Sequence, residues 1–186
     1  MFKKIQYNSP VVLTFTFISL LALILSFFTK GYTNRILFSV YRSSPKDILS
    51  YVRVFTHVIG HANFNHFINN FMFILILGPM IEEKYGSKNL VIMIIITAFI
   101  TGILNIMLFS NALLGASGVV FMLIVLSSFA NMEKNKIPLT FIMVLIFFIG
   151  KEIYSGIILK DNISQITHII GGLCGSVFGY KINKNI

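Results

Sequence analysis

Long apolar segments alternate with short polar ones along this chain of 186 residues. Long runs free of Asp, Glu, Lys and Arg cover residues 5–29, 54–81, 89–132, 137–150 and 162–180. Because about 20 helical residues cross a hydrocarbon core about 30 Å thick, the longest of these runs has room for two helices, with a break at residues 110–115. The pattern therefore predicts membrane-spanning helices over residues 11–28, 64–81, 90–108, 116–131, 137–154 and 165–180.

The composition supports a membrane protein and excludes a water-soluble globule. Hydrophobic residues make up 56% of the chain and charged residues only 11%, whereas about 25% of an ordinary soluble domain is charged. The expected fold is all-α, a bundle of six transmembrane helices in a single domain over residues 1–186. The connection 29–63 is too long for a passive linker, so we expect it to form structure of its own at the membrane surface.

The charge and the cysteine content disfavour several further classes of function. The net charge of +9 comes from basic residues scattered between apolar runs, a pattern typical of membrane-flanking charge rather than of nucleic-acid binding. The single cysteine, Cys174, can build neither a disulfide framework nor a thiolate metal cluster. The chain has no phosphate-binding loop of the Gly-Lys-Ser/Thr type, so we expect no nucleotide.

The distribution of basic residues predicts the orientation. Six spans put both termini on one side, and basic residues outside the connection 29–63 divide eight to two in favour of that side, an excess that marks the cytoplasm. The first span follows Lys3 and Lys4 and is longer than a typical signal-peptide core, so we interpret it as a signal anchor. We therefore expect a multi-pass plasma-membrane protein with cytoplasmic termini, and the richness in Ile, Lys and Asn favours a bacterial source.

Polar side chains within apolar spans are functional candidates, because each needs a partner or a wet cavity. His66 and Asn70 are spaced i,i+4 in the second span, so both lie on one helix face and can converge on one point. The alternative for this pair alone is a hydrogen-bonded clamp between two membrane helices.

A second candidate is the segment Gly115-Ala116-Ser117-Gly118, which follows a short polar break and opens the fourth span. Ser117 would lie at a helix N-terminus, where unpaired N–H groups stabilise developing negative charge. The glycines would let a substrate backbone approach the hydroxyl closely. The alternative is a packing contact made by small residues between helices.

His168 opens the sixth span and is followed by glycines at 171, 175 and 179. This glycine stripe allows the backbone of another helix to come close. If that helix is the one that starts at Ser117, hydroxyl and imidazole come within hydrogen-bond reach, as a serine nucleophile requires. The alternative is a histidine that caps or bridges helix ends.

Two other kinds of intramembrane protease are disfavoured. The chain has no H-E-x-x-H zinc motif, and Glu82 and Glu83 would lie roughly 24 Å from His66 along one helix. Asp47 and Asp161 both fall outside the predicted spans, which excludes a pair of catalytic aspartates. We expect no metal and no cofactor.

Taken together, these residues resemble the rhomboid family of intramembrane serine proteases, from about Arg53 to Gly179. The specificity comes from the order of the motifs. They are Phe55-Thr56-His57, His61, His66-x-x-x-Asn70, Gly78 with Glu82-x-Lys84-x-Gly86-Ser87, Gly115-x-Ser117-Gly118 and His168-x-x-Gly171-x-x-x-Gly175.

The resemblance implies a six-helix bundle with a water-filled cavity, in which a peptide bond of a transmembrane substrate is hydrolysed. It implies that Ser117 is the nucleophile and His168 the general base of a dyad, with His66, Asn70 and the Ser117 N–H as the oxyanion hole. Supporting positions are Gly115, Gly118, Phe121, Gly171 and Gly175. The implied partners are transmembrane protein substrates and the lipid bilayer, with no nucleic acid or nucleotide, and the fifth helix would be the lateral gate.

The chain departs from the family pattern at three places. Val52-Arg53 replaces a common Trp-Arg pair, Phe121 replaces a common Tyr, and Thr167 stands where Ala is usual. The alternative function is a catalytically silent rhomboid-like protein that binds transmembrane helices, but such relatives usually lack the serine or the histidine. A third hypothesis, a small transporter, is disfavoured, because the sequence shows neither inverted repeats nor paired charges in the middle of the predicted spans.

Overall fold

The chain folds into a bundle of helices. The computed structural model describes residues 5–130, 132–133, 136–159 and 162–184, so the predicted domain limits, residues 1 and 186, lie outside the described part. The helices in that part are α1 (Pro10–Phe28), α2 (Tyr32–Leu37), α3 (Ile48–Thr56), α4 (Phe64–Tyr85), α5 (Ser87–Leu108), α6 (Ser117–Ser127), α7 (Leu139–Leu159) and α8 (Asn162–Lys184).

A helix lies at each predicted span, and the chain is a helical membrane protein. Among the described residues, α1, α4 and α5 are long and apolar enough to cross a membrane. Helix α6 is apolar but has only 11 residues. It lies at the centre of the bundle, where the side chains of Val119, Met122 and Leu126 are fully buried. An 11-residue helix that is apolar on all sides is therefore enclosed by the longer ones.

Four helices end at other positions than predicted. Helix α7 ends at Leu159 rather than at residue 154, and α8 ends at Lys184 rather than at residue 180. For the other two helices, α4 and α6, the reasons lie in side-chain bonding. Helix α4 continues to Tyr85 rather than to residue 81, because Glu82 is buried with hydrogen-bond partners and does not have to leave the helix. Helix α6 ends at Ser127 rather than at residue 131. There the Ser127 hydroxyl donates to Ile124 O (2.7 Å) and the following residues make tight i→i−3 bonds.

The connection 29–63 carries α2 and α3 and is anchored by a buried arginine. Arg53 is only 2% exposed, forms an ion pair with Asp47 and lies with its guanidinium 4.4 Å from the ring centroid of Tyr41. The Arg53 guanidinium also holds the pKa of Asp47 below its usual value. The loop is thus fixed without the tryptophan that the family pattern led us to look for, and Tyr41 supplies the aromatic face.

A single carboxylate joins α1 to α4. Glu82 accepts hydrogen bonds from Val11 N (3.0 Å) and Val12 N (3.1 Å), which are free donors in the first turn of α1. It also accepts one from Ser87 Oγ (2.7 Å), at the start of α5. Next to this contact a Cβ at Gly78 would lie 2.6 Å from Val12 Cγ2, so the two helices touch closely.

We predict that Glu82→Ala destabilises the fold by about 2–3 kcal/mol, because it leaves buried donors at the start of α1 without an acceptor. The measurement is thermal unfolding of the detergent-solubilised protein. The matched control is Glu83→Ala, since the neighbouring Glu83 side chain is exposed and its loss should change stability by less than about 0.5 kcal/mol. Equal stability of the two variants would contradict this account.

Candidate active site

Ser117 is the first residue of α6, at the end where α4 begins. The first intrahelical bond runs from Val120 N–H to Ala116 O (2.9 Å), so the N–H of Ser117 lies in the turn whose donors have no intrahelical acceptor. Its side chain is half-buried. The residues before it, Gly115 and Ala116, are buried.

Two buried histidines hold the loop in front of Ser117. Gly115 N–H donates to the backbone carbonyl of His57 (2.9 Å). Ala116 N–H donates to Nε2 of His61 in a long bond of 3.4 Å, while Nδ1 of His61 donates to Ile59 O (3.0 Å). The second bond fixes the tautomer that leaves Nε2 free to accept.

Electrostatics keeps these two histidines neutral. Burial lowers the pKa of His57 to about 4. Burial, and to a smaller extent the neighbouring His66, lowers the pKa of His61 to about 4 as well. At neutral pH neither ring is charged, so the acceptor at His61 Nε2 that holds Ala116 is retained.

His66 and Asn70 converge on Gly115, as their spacing predicts. A Cβ at Gly115, where φ is +122°, would lie 2.7 Å from both Cε1 and Nε2 of His66 and 3.8 Å from Nδ2 of Asn70. Asn63 caps α4 by accepting from His66 N–H (2.9 Å). Asn70 is 5% exposed, and its Nδ2 has no hydrogen-bond partner among the described residues. A buried donor, Asn70 Nδ2, therefore lies beside Gly115, which is two residues before Ser117 in the chain.

His168 lies against the face of α6 that carries Ser117. Its ring centroid is 4.1 Å from that of Phe121, with the planes tilted by 34°. Ser117 and Phe121 are four residues apart in one helix and thus share a face. The change from Tyr to Phe at position 121 keeps this ring contact.

Bare glycines make that placement of His168 possible. A Cβ at Gly171 would lie 2.1 Å from Gly118 O, and a Cβ at Gly175 would lie 2.4 Å from Met122 O. The backbones of α8 and α6 are thus in direct contact over two turns. Thr167 fits because Gly118 has no side chain, since a Cβ there would lie 3.3 Å from Thr167 Cγ2.

Sequence reasoning missed several residues that support the site. The sequence singles out His57 and His61 as polar residues around the second span and as part of the family motif, but it predicts no role for them. Their i,i+4 spacing just ahead of His66 is a signal of a shared one. No sequence pattern pointed to Asn34, whose Nδ2 donates to His61 O (2.8 Å). The same is true of Tyr41 and Asp47, the two partners of Arg53. Their contacts arise from chain folding within the connection 29–63.

A match to a family model shows which protein family the chain belongs to. The model of the Rhomboid domain matches residues 49–185, about three quarters of the chain. The chain belongs to the rhomboid family. The resemblance drawn from the motif order is thereby confirmed.

Rhomboid relatives come from distant organisms at modest identity. The chain is 24% identical to the rhomboid protease GlpG of Haemophilus influenzae over 80% of this chain and 78% of that one. It is 28% identical to the chloroplastic rhomboid-like protein 11 of Arabidopsis thaliana, over 69% of this chain. It is also 28% identical to rhomboid-related protein 1 of Caenorhabditis elegans, over 72% of this chain. The matches span only 51% of the plant protein and 40% of the worm protein.

We predict that Gly171→Ala lowers the stability of this rhomboid-family fold by about 1–3 kcal/mol, because its Cβ overlaps the Gly118 carbonyl and forces α8 away from α6. Unfolding in detergent measures the effect. Gly150→Ala is the matched control, since a Cβ at that helical glycine meets nothing within 4 Å. It should be neutral or stabilising by up to about 1 kcal/mol. A Gly171→Ala protein as stable as the Gly150→Ala protein would contradict the close crossing.

Proposed function

We propose that this chain is an intramembrane serine endopeptidase, which hydrolyses peptide bonds within or next to transmembrane segments of membrane proteins. The observation that carries the proposal is the contact of the His168 ring with Phe121, one helical turn from Ser117. A hydroxyl at a helix start with an imidazole on the same face has the two parts that a serine nucleophile needs. Membership of a family that contains a protease supports the same reaction.

In the proposed reaction, His168 removes the proton from Ser117 Oγ as the oxygen attacks the scissile carbonyl carbon. The tetrahedral intermediate collapses when the protonated imidazole passes its proton to the leaving amine nitrogen, and an acyl-enzyme remains. Water, deprotonated by the same imidazole, then attacks the ester carbon. The imidazolium returns that proton to Ser117 Oγ as the ester bond breaks and the new carboxyl end leaves. The pair acts as a dyad of serine and histidine.

The oxyanion is stabilised by donors that meet at the loop before α6. Ser117 N–H belongs to the free first turn of the helix, and Asn70 Nδ2 is a buried donor without a partner among the described residues. His66 adds a ring nitrogen, since Nε2 lies beside Gly115. Such donors are fixed before the reaction begins and gain strength where water is excluded.

The proposed setting is a single domain of six transmembrane helices, with cytoplasmic termini in a bacterial plasma membrane. The helices of the described part that are long and apolar enough to cross a membrane, α1, α4 and α5, would be joined by α6, α7 and α8 to complete the bundle. Helix α7 would be the lateral gate through which a substrate helix enters. The reaction needs no metal, nucleotide or other cofactor, because serine and histidine supply both nucleophile and base.

We predict that Ser117→Ala and His168→Ala each reduce cleavage of a transmembrane model substrate in vesicles by about 10³-fold or more, because each removes one half of the dyad. The matched control is Ser127→Ala on the same helix. The Ser127 hydroxyl donates to Ile124 O of its own helix backbone, so its loss should leave cleavage unchanged. Cleavage at the wild-type rate by either site variant would refute the dyad. A folded wild type that binds but never cleaves transmembrane helices would favour the silent alternative.

We also predict that Asn70→Ala lowers kcat by about 10²-fold with little change in KM, because a donor to the oxyanion acts mainly in the transition state. Asn69→Ala is the control, since the neighbouring amide is exposed and should leave both constants unchanged. Steady-state kinetics on the same substrate gives the two values. An equal kcat for both variants would remove Asn70 from the oxyanion hole.

A further inference from the structure

A cavity of about 820 Å³ lies between the end of α1, the start of α2 and the start of α4. It occupies the same end of the bundle as Ser117 but is built from other residues. Its volume is within the range of sites that bury small organic ligands. None of the residues proposed for catalysis lines it.

One side of this cavity is apolar and open. Leu20, Leu23 and Ile24 of α1 form its wall, and the aromatic rings of Phe28 and Phe64 stand at its edge with 77% and 62% of their surface exposed. A wall of this kind along a membrane helix fits an acyl chain, since both surfaces are apolar.

The other end of the cavity is polar and positively charged. Lys30 lies there, and no acidic side chain is among the described residues that line the cavity. Asn34 is 7% exposed and is oriented by the bond from its Nδ2 to His61 O (2.8 Å). Its Oδ1 has no donor among the described residues, and a buried amide oxygen without a donor is unusual. The polar end therefore offers one cation and one unmatched acceptor.

We propose that this cavity is a selective site for an anionic phospholipid whose headgroup carries hydroxyls, as in phosphatidylglycerol. An acyl chain lies along α1, the phosphate faces the Lys30 ammonium, and a headgroup hydroxyl donates to Asn34 Oδ1. A choline headgroup fits less well, because it brings no hydrogen-bond donor and its own cation repels Lys30. The inference concerns lipid binding and does not depend on the proposed proteolysis.

The chain has no tryptophan, so a single introduced one reports on this site alone. The Phe28→Trp protein is reconstituted in vesicles that contain brominated phosphatidylglycerol or brominated phosphatidylcholine, and the quenching of tryptophan fluorescence is compared. We expect a preference for the glycerol lipid of about fivefold, the size expected for one lysine near an anionic headgroup. Phe17→Trp, on the same helix but outside the cavity and 58% exposed, should show no preference.

Lysine variants in the Phe28→Trp background test whether Lys30 causes the preference for phosphatidylglycerol. Lys30→Met should abolish the preference, whereas Lys88→Met, an exposed lysine at the other end of the bundle, should retain it. Equal quenching by the two lipids at Phe28→Trp, the same preference at Phe17→Trp, or a preference that survives Lys30→Met would each overturn the proposal. Phe27→Trp is a second reporter, since Phe27 also lines the cavity and is 80% exposed.

Discussion

The backbones of α6 and α8 touch where Gly171 meets the carbonyl of Gly118, and the rest of the candidate site depends on that contact. A side chain at Gly171 would overlap that carbonyl and push the two helices apart. The separation would carry the His168 ring away from Phe121 and from the face that bears Ser117. Within lipid no hydrophobic force draws helices together, so their association depends on close packing. Small residues allow that packing.

The other half of the site is positioned by hydrogen bonds from a loop rather than by helix packing. Backbone groups of Gly115 and Ala116 donate to His57 O and His61 Nε2, and Asn34 holds the carbonyl of His61 in turn. Irregular backbone at membrane depth is stable only when its polar groups find partners within the protein. The loop can thus present Ser117 while its own donors are satisfied. The bond to His61 Nε2 forms because this histidine stays neutral and keeps that nitrogen as an acceptor.

The positions of the helices and most candidate residues could be predicted from the sequence, because they follow from local periodicity. Apolar run lengths predicted where the helices lie, and the i,i+4 spacing of His66 and Asn70 predicted the convergence that the structure shows at Gly115. The end of α4 could not be predicted, because the buried position of Glu82 depends on the distant N-terminus of α1. The stacking of Arg53 on Tyr41 and the role of Asn34 likewise arise from the folding of the connection 29–63, which has no simple period.

The most direct test of the central claim is to treat the purified, detergent-solubilised protein with a fluorophosphonate probe and to locate the adduct by mass spectrometry. The probe reacts with an activated serine and needs no known substrate. The account predicts that the wild type is modified at Ser117 and that His168→Ala is not, because the imidazole is the base that activates the hydroxyl. A folded wild type that stays unmodified, or a His168→Ala protein modified at Ser117 at the same rate, would contradict it.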